Sequence, residues 1–235
     1  MSLYTKDFLL DGKIIYLQPK KGYRSGIEPI ILAAQCKKKY LDVLDMGSGC
    51  GSIALICAYR YPKSKIIGFE KNITHFKLAK KSKDQNKFNN LEFIKKDACK
   101  YDKNYKDCFD LILTNPPFFF EGEVIISQNK SLYDSRYISK EKLNAWLDNM
   151  VNYLKPNGKA FIINRYDNLK TMLIKLRELK CKSIIFPICS FKGSKPKNVL
   201  VEVNKNDKYV EKTENEIIIH TKSSNYSKDI KHWFK

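Results

Sequence analysis

The sequence contains no long apolar run, and this excludes a membrane-spanning helix. None of the apolar stretches in the 235 residues approaches the roughly 18–20 residues that such a helix needs. The N-terminal segment carries Asp7 and Asp11 around a core of only two leucines, which does not fit a secretory signal. We therefore expect a folded protein that is neither membrane-embedded nor exported.

The cysteines and histidines lack the spacing of a metal site. The seven cysteines are odd in number and form no CxxC pair, which argues against a disulfide framework and a structural zinc site. The three histidines are scattered along the chain. We expect reduced thiols, a cytoplasmic location and no metal cofactor.

Arginine is scarce although the chain is strongly basic. Lysine and arginine number 44 against 25 acidic residues, for a net charge of +19, but only five of the 44 are arginines. A surplus of this size is typical of nucleic-acid binders. Arginine is the better phosphate ligand, however, and lysine is encoded by AT-rich codons. The charge alone therefore does not decide whether the lysine surplus serves RNA binding or reflects an AT-rich coding sequence.

Short apolar runs alternate with amphipathic stretches from Leu41 onward. This pattern predicts βαβ units and a doubly wound α/β sheet of seven strands, mostly parallel. The last two strands, SIIFPI and NVLVEV, are joined by a segment too short for a helical crossover, so we expect a C-terminal antiparallel hairpin. Three parts are predicted: a hairpin and helix extension (1–40), the sheet domain (41–205) and a basic C-terminal extension packed on it (206–235).

A glycine-rich loop follows the first strand of this sheet. In LDMGSGCGSIAL, Asp45 ends the strand, and Gly47, Gly49 and Gly51 follow at alternate positions before a helix. Glycines let a backbone turn sharply and approach a ligand, which in such sheets binds at the carboxyl ends of the strands. A dinucleotide site prefers GxGxxG. Asp45 would repel a phosphate, but it suits a ligand that carries an ammonium group.

Acidic residues also follow the next two strands. Glu70 ends the second strand, where a carboxylate can accept hydrogen bonds from ribose hydroxyls, and Asp97 and Ala98 follow the third. Each acid taken alone is equally consistent with a solvated strand end. Together with the loop, they resemble the class I S-adenosylmethionine-dependent methyltransferases. The resemblance implies a Rossmann-like sheet and S-adenosylmethionine as cofactor, with Asp97 and Ala98 at its adenine ring.

The fourth strand leads directly into Asn115, Pro116, Pro117 and Phe118. An exocyclic amine on a ring is a poor nucleophile, because its lone pair is delocalised. The Asn115 side-chain oxygen and the Pro116 carbonyl can accept both amine hydrogens and stabilise the positive charge that grows on nitrogen. The prolines restrict the backbone, and Phe118 offers a face on which a flipped base can stack.

This segment resembles the [DNS]-P-P-[FYW] signature of enzymes that methylate planar nitrogens. Three further segments are QPKKGYRSGIEPIILAA before the sheet, LNAWLDNMVNYLKPNG before the fifth strand and FKGSKPKNVLVEV near the end. Through them, most of residues 8–220 resemble, more narrowly, the tRNA adenine-N6 methyltransferases that modify the adenosine 3′ of the anticodon in valine tRNA. That resemblance implies that Glu28 approaches the cofactor and that Arg24 shapes the pocket. A helix N-terminal acid and a surface cation are the alternatives for these two residues.

RNA contact is predicted for cations that flank the catalytic edge. They lie before the sheet and between its last two strands, and they are Lys20, Lys21, Arg24, Lys192, Lys195 and Lys197. The segment from Glu121 to Tyr137 is predicted to be a substrate loop. Other methyl acceptors, guanine N2 of ribosomal RNA or a protein glutamine amide, stay open. A non-catalytic RNA-binding protein is the third hypothesis, although it would be expected to lose Asn115 or the glycine loop.

Overall fold

The computed structural model describes residues 3–21, 26–120, 137–205 and 209–234. The strands are β1 (Tyr4–Leu9), β2 (Ile14–Pro19), β3 (Asp42–Met46), β4 (Lys65–Glu70), β5 (Leu91–Lys95), β6 (Phe109–Thr114), β7 (Phe119–Phe120), β8 (Tyr137–Ile138), β9 (Leu154–Arg165), β10 (Lys182–Cys189), β11 (Asn198–Asn204), β12 (Glu211–Thr213) and β13 (Ile217–Ile218). The helices are α1 (Glu28–Ala33), α2 (Ser52–Arg60), α3 (Ile73–Asn86), α4 (Lys140–Tyr153), α5 (Leu169–Glu178) and α6 (Lys228–Trp233).

The main sheet has the predicted α/β architecture. Its core order is β5-β4-β3-β6-β9-β11-β10, in which the first five strands are parallel. β11 runs antiparallel to both β9 and β10, which confirms the C-terminal hairpin. The short strands β12 and β13 also pair with β10, so the main sheet has nine strands among the described residues rather than the seven predicted.

Burial explains why the central strands are apolar on both faces. One core cluster lies between the sheet and α1, α2 and α3, and a second lies between the sheet and α4 and α5. β3 and β6 are covered on both sides, as expected for the middle of a parallel sheet. None of the helices in the described ranges has the length and apolar character that crossing a bilayer requires.

The predicted N-terminal hairpin, β1 and β2, packs across α3. The Asn86 side chain accepts a hydrogen bond from the Ile15 amide at 2.9 Å and donates one to the Ile15 carbonyl at 2.7 Å. The Leu17 amide donates to the Ser82 hydroxyl at 3.0 Å. These main-chain contacts, together with a side-chain hydrogen bond from Lys81 to the Tyr4 hydroxyl, hold the hairpin on α3. Tyr16 of this hairpin lines the same cleft as the first turns of α2 and α3.

Candidate functional site

An open cleft lies at the carboxyl ends of β3 and β6. It is bounded by the glycine loop, the start of α2, the N-terminal hairpin, α1 and α3. The residues that line it are Tyr16, Pro29, Gly47, Ser48, Gly49, Cys50, Ser52, Ile53, His75 and Asn115. The cleft thus brings two of the predicted motifs together, the glycine loop and Asn115.

The three glycines of the loop differ in what a side chain at each position would contact. All have positive φ, at 80° for Gly47, 57° for Gly49 and 87° for Gly51. A Cβ on Gly47 would lie 2.5 Å from the Trp146 ring, and one on Gly51 would lie 2.4 Å from the Phe93 ring. A Cβ on Gly49 would meet nothing within 4 Å. Packing therefore accounts for the outer two glycines, and only the middle one faces open space.

Asp45 lies two residues before Gly47, the first glycine of the loop, and is buried, with 1% of its surface exposed. One carboxylate oxygen, Oδ2, accepts from the Ala54 amide at 3.0 Å. The other, Oδ1, is buried and has no hydrogen-bond partner among the described residues. Burial raises the pKa of Asp45 to about 8; the Ala54 amide offsets part of this rise, and the charge of Glu70 adds to it. A cationic ligand group would satisfy Oδ1 and restore the charged form.

Glu70 supports the glycine loop directly. Its carboxylate accepts from the Gly49 amide at 2.8 Å and from the Asn72 amide at 2.6 Å. Burial raises the pKa of Glu70, while these amides lower it. Asp97 and Ala98 follow β5 at the same edge, where Asp97 accepts from the Cys99 amide at 3.0 Å.

Asn115 presents a buried acceptor to the cleft. Its Oδ1 atom has no hydrogen-bond partner within the part of the chain that the structure describes. Pro116 is buried, Pro117 is half-buried, and Phe118 is a half-buried ring that packs against the α1–α3 core cluster. A buried acceptor without a partner costs free energy, so this geometry indicates a donor that arrives with a ligand.

Two asparagines that the sequence analysis missed hold the backbone after Asn115. Asn168 donates to the Phe118 carbonyl at 2.8 Å and to Asn164 Oδ1 at 2.6 Å. Asn164 also donates to the Pro117 carbonyl at 3.4 Å. Both side chains are buried at the end of β9 and the turn after it. They fix the carbonyls of two residues in the predicted catalytic segment.

Tyr16 and His75 are further cleft residues without a sequence signal. His75 is buried in the first turn of α3, and burial lowers its pKa. Tyr16 reaches the cleft because the N-terminal hairpin is docked on α3. Neither position belongs to a local motif, so only the folded structure shows that they line the cleft.

The remaining predicted residues lie at the edge of the cleft or outside the described ranges. Glu28 is the first residue of α1 and accepts from the Asn198 side chain at 3.2 Å, while its neighbour Pro29 lines the cleft. Arg24 and residues 121–136 of the predicted substrate loop fall outside the described residues. The predicted RNA-contacting lysines are exposed: Lys20, Lys21, Lys192, Lys195 and Lys197.

The sequence of the chain matches a family model. The model is described as a methyltransferase domain, and it covers residues 37–229. The chain belongs to this family. The match confirms the resemblance to class I S-adenosylmethionine-dependent methyltransferases that the motifs indicated.

Individual relatives of this methyltransferase carry two kinds of name. The chain is 32% identical over 155 residues, 65% of each protein, to the tRNA1(Val) (adenine(37)-N6)-methyltransferase of Haemophilus influenzae strain PittEE. It is 35% identical over 156 residues, 66% of this chain and 77% of the other, to a Methanocaldococcus jannaschii protein provisionally named as a protein N5-glutamine methyltransferase. The alignment therefore spans slightly less than two thirds of the Haemophilus enzyme.

A solved structure supports the fold. The crystal structure of a predicted O-methyltransferase from Agrobacterium tumefaciens superposes with a TM-score of 0.71 over 88% of this chain and 95% of that one, at 16% sequence identity. At this identity the likeness concerns the fold alone.

Replacing Asn168 with alanine should lower kcat of the methyltransferase by about tenfold, because it removes the donor that holds the Phe118 carbonyl. Cofactor affinity should not change, since Asn168 is not among the residues that line the cleft. Steady-state kinetics together with calorimetric titration of S-adenosylhomocysteine would separate the two effects. Asn152→Ala, at an exposed position of α4, is the matched control. Equal losses of kcat and of cofactor affinity in Asn168→Ala would contradict a positioning role.

Proposed function

We propose that this chain transfers the methyl group of S-adenosylmethionine to the exocyclic N6 of an adenine in tRNA, the adenosine 3′ of the anticodon. The observation that carries the proposal is the buried, unpartnered Oδ1 of Asn115, which lines the same cleft as the glycine loop in the described structure. A planar amine is the donor that this acceptor suits. The name of the Haemophilus relative favours the N6 amine of an adenine in tRNA as this donor.

The glycine loop that lines the cleft and two acids beside it, Asp45 and Glu70, fit the proposed cofactor. Asp45 Oδ1 is a buried acceptor with no partner in the described structure, which suits the ammonium group of S-adenosylmethionine. The space beside Gly49 is open, so a ligand can lie against the loop backbone. Glu70 ends the neighbouring strand, where its carboxylate can accept from ribose hydroxyls. When bound, the cofactor supplies an electrophilic methyl group on a sulfonium.

The chain contributes orientation and charge stabilisation to the reaction. Asn115 Oδ1 and the Pro116 carbonyl accept the two amine hydrogens, so that the nitrogen lone pair is directed toward the methyl group. Methyl transfer would make this nitrogen cationic, and the two acceptors would stabilise that charge until the nitrogen loses a proton to water. A strong general base is therefore unnecessary.

The test is methyl transfer from labelled S-adenosylmethionine to unmodified total tRNA, followed by mass spectrometry of the nucleosides. N6-methyladenosine in one tRNA species is the expected product. Absence of label in tRNA, with cofactor binding intact, would overturn the proposal.

A protein glutamine amide is the second candidate, and the name of the Methanocaldococcus relative favours it. An amide nitrogen is also planar and carries two hydrogens, so Asn115 could orient it in the same way. Incubating the enzyme with a translation release factor distinguishes the two. N5-methylglutamine in that protein, with no label in tRNA, would assign the second function.

A further inference from the structure

Four aromatic rings form a continuous row beside the turn between β10 and β11. Their centroids are 5.6 Å apart for Phe191 and His220, 5.3 Å for His220 and Tyr226, and 5.1 Å for Tyr226 and Phe234. We call these four residues the aromatic row. Phe191 is 40% exposed and Tyr226 is 39% exposed, although each packs on a neighbouring ring. The row therefore keeps aromatic surface available to solvent.

The fold places the aromatic row at the catalytic edge of the sheet. Asn198, which starts β11, pairs with Arg165 at the end of β9, and Ile162 of β9 pairs with Thr114, the residue before Asn115. The turn from 190 to 197 therefore lies at the same end of the strands as Asn115. Three strand spacings separate the two along the sheet, or about 14 Å at ~4.8 Å per spacing.

Positive charge surrounds the aromatic row. Segments 191–197 and 220–234, which contain the four rings, carry six lysines and a single acidic residue, Asp229. All six lysines are exposed: Lys192, Lys195, Lys197, Lys222, Lys228 and Lys231. Exposed rings interleaved with cations are the combination by which proteins bind single-stranded nucleic acid, since each base offers a stacking face and each phosphate a negative charge.

We propose that the aromatic row and its lysines form a stacking platform for unpaired nucleotides that flank the target base. This inference rests on the proposed function, because it takes RNA as the substrate. Phe118 can receive only the base that enters the site, so the neighbouring unpaired nucleotides need a separate surface. Anticodon loops are single-stranded, which makes their bases available for stacking outside the active site.

Phe191 is the position at which to test the platform. The turn around it is held by Ser194, whose amide donates to the Phe191 carbonyl at 3.0 Å and whose hydroxyl accepts from the Phe191 amide at 3.2 Å. These contacts use the backbone of Phe191, so replacing its side chain leaves them in place. Tyr59→Ala is the matched control, because Tyr59 is also 40% exposed and packs on another ring, but it lies near the opposite end of the sheet in α2.

The experiment measures binding of an unmodified valine tRNA transcript by fluorescence anisotropy, together with its methylation. Phe191→Ala should weaken tRNA binding by about 5- to 150-fold, the range expected for one lost stacking contact. Phe191→Trp should restore binding, since tryptophan also stacks. Tyr59→Ala should bind as the wild type does. Affinity for S-adenosylhomocysteine and the thermal unfolding midpoint should be equal in all four proteins.

Three outcomes would overturn the platform, and they are distinguishable from one another. If Phe191→Ala binds and methylates tRNA as the wild type does, the platform is wrong while the proposed function stands. If Phe191→Ala loses tRNA binding but Phe191→Trp does not recover it, stacking is not the interaction. If the wild type neither binds nor methylates tRNA and instead methylates a release factor, the proposed function and the platform both fail.

Discussion

Replacing Asn115 with alanine is expected to lower kcat by at least about 100-fold, because it removes a preorganised acceptor aimed at charge that develops in the transition state. Asn115 Oδ1 is buried and unpartnered in the described structure, so its removal takes no acceptor away from the described residues. The folded state should therefore tolerate the change. The measurement is single-turnover methylation of tRNA at saturating cofactor, which reports the chemical step without product release.

Two further variants make the result for Asn115 specific. Asn115→Asp retains a side-chain acceptor at the same place and should be more active than Asn115→Ala. Asn152→Ala removes the same side chain from an exposed site on α4 and should leave the rate unchanged. Titration with S-adenosylhomocysteine should give wild-type affinity for all three variants. Near-normal turnover by Asn115→Ala would rule out the proposed role of this oxygen.

Substitution of Asp45 should abolish cofactor binding rather than the chemical step. Removing one partner of a buried charge pair weakens binding by at least about 30-fold, so Asp45→Ala should fall below detection in a calorimetric titration. Asp45→Asn should do the same, since it keeps the shape but cannot take a negative charge opposite an ammonium group. Asp42→Ala is the control on the same strand, where Asp42 is partly exposed and pairs with Lys155.

The pH dependence of stability gives an independent check on Asp45. Its folded-state pKa of about 8 lies above the usual value of 3.8, so the empty protein binds this proton more tightly than the unfolded chain does. The free energy of unfolding should therefore fall as pH rises between about 4 and 8. Asp45→Asn has no such proton, and its unfolding free energy should be less sensitive to pH over that range. Equal slopes in the two proteins would contradict the raised pKa.

The sequence predicted those parts of the molecule that rest on local patterns. Apolar runs and glycines located the strands of the main sheet and the loop after β3, and a short connection predicted the antiparallel pair β10 and β11. Strand β12 was harder to predict as a sheet member, because it contains only three residues. Periodicity needs a longer segment than that to be visible.

The surroundings of the catalytic segment could not be predicted in the same way. Asn164 and Asn168 contact the carbonyls of Pro117 and Phe118 across 47 and 50 residues of sequence. Isolated asparagines after a strand are also typical of turns, so nothing local distinguishes these two. Tyr16 reaches the cleft for a similar reason, through hairpin contacts with α3 that span 65 to 71 residues.

Because of the way the N-terminal hairpin is held on α3, some positions of the chain should tolerate substitution much better than others. Its hydrogen bonds to α3 use the main chain of Ile15 and Leu17, which every residue type except proline can supply in full. On the other side they depend on two particular side chains, Asn86 and Ser82. The exposed side chains of β1, Lys6 and Phe8, can therefore diverge while Tyr16 keeps its place at the cleft, whereas Ile14 and Leu17 of β2 are buried in the core. Substitution of Asn86 or Ser82 in α3, which belong to no motif, would instead displace the hairpin and with it Tyr16.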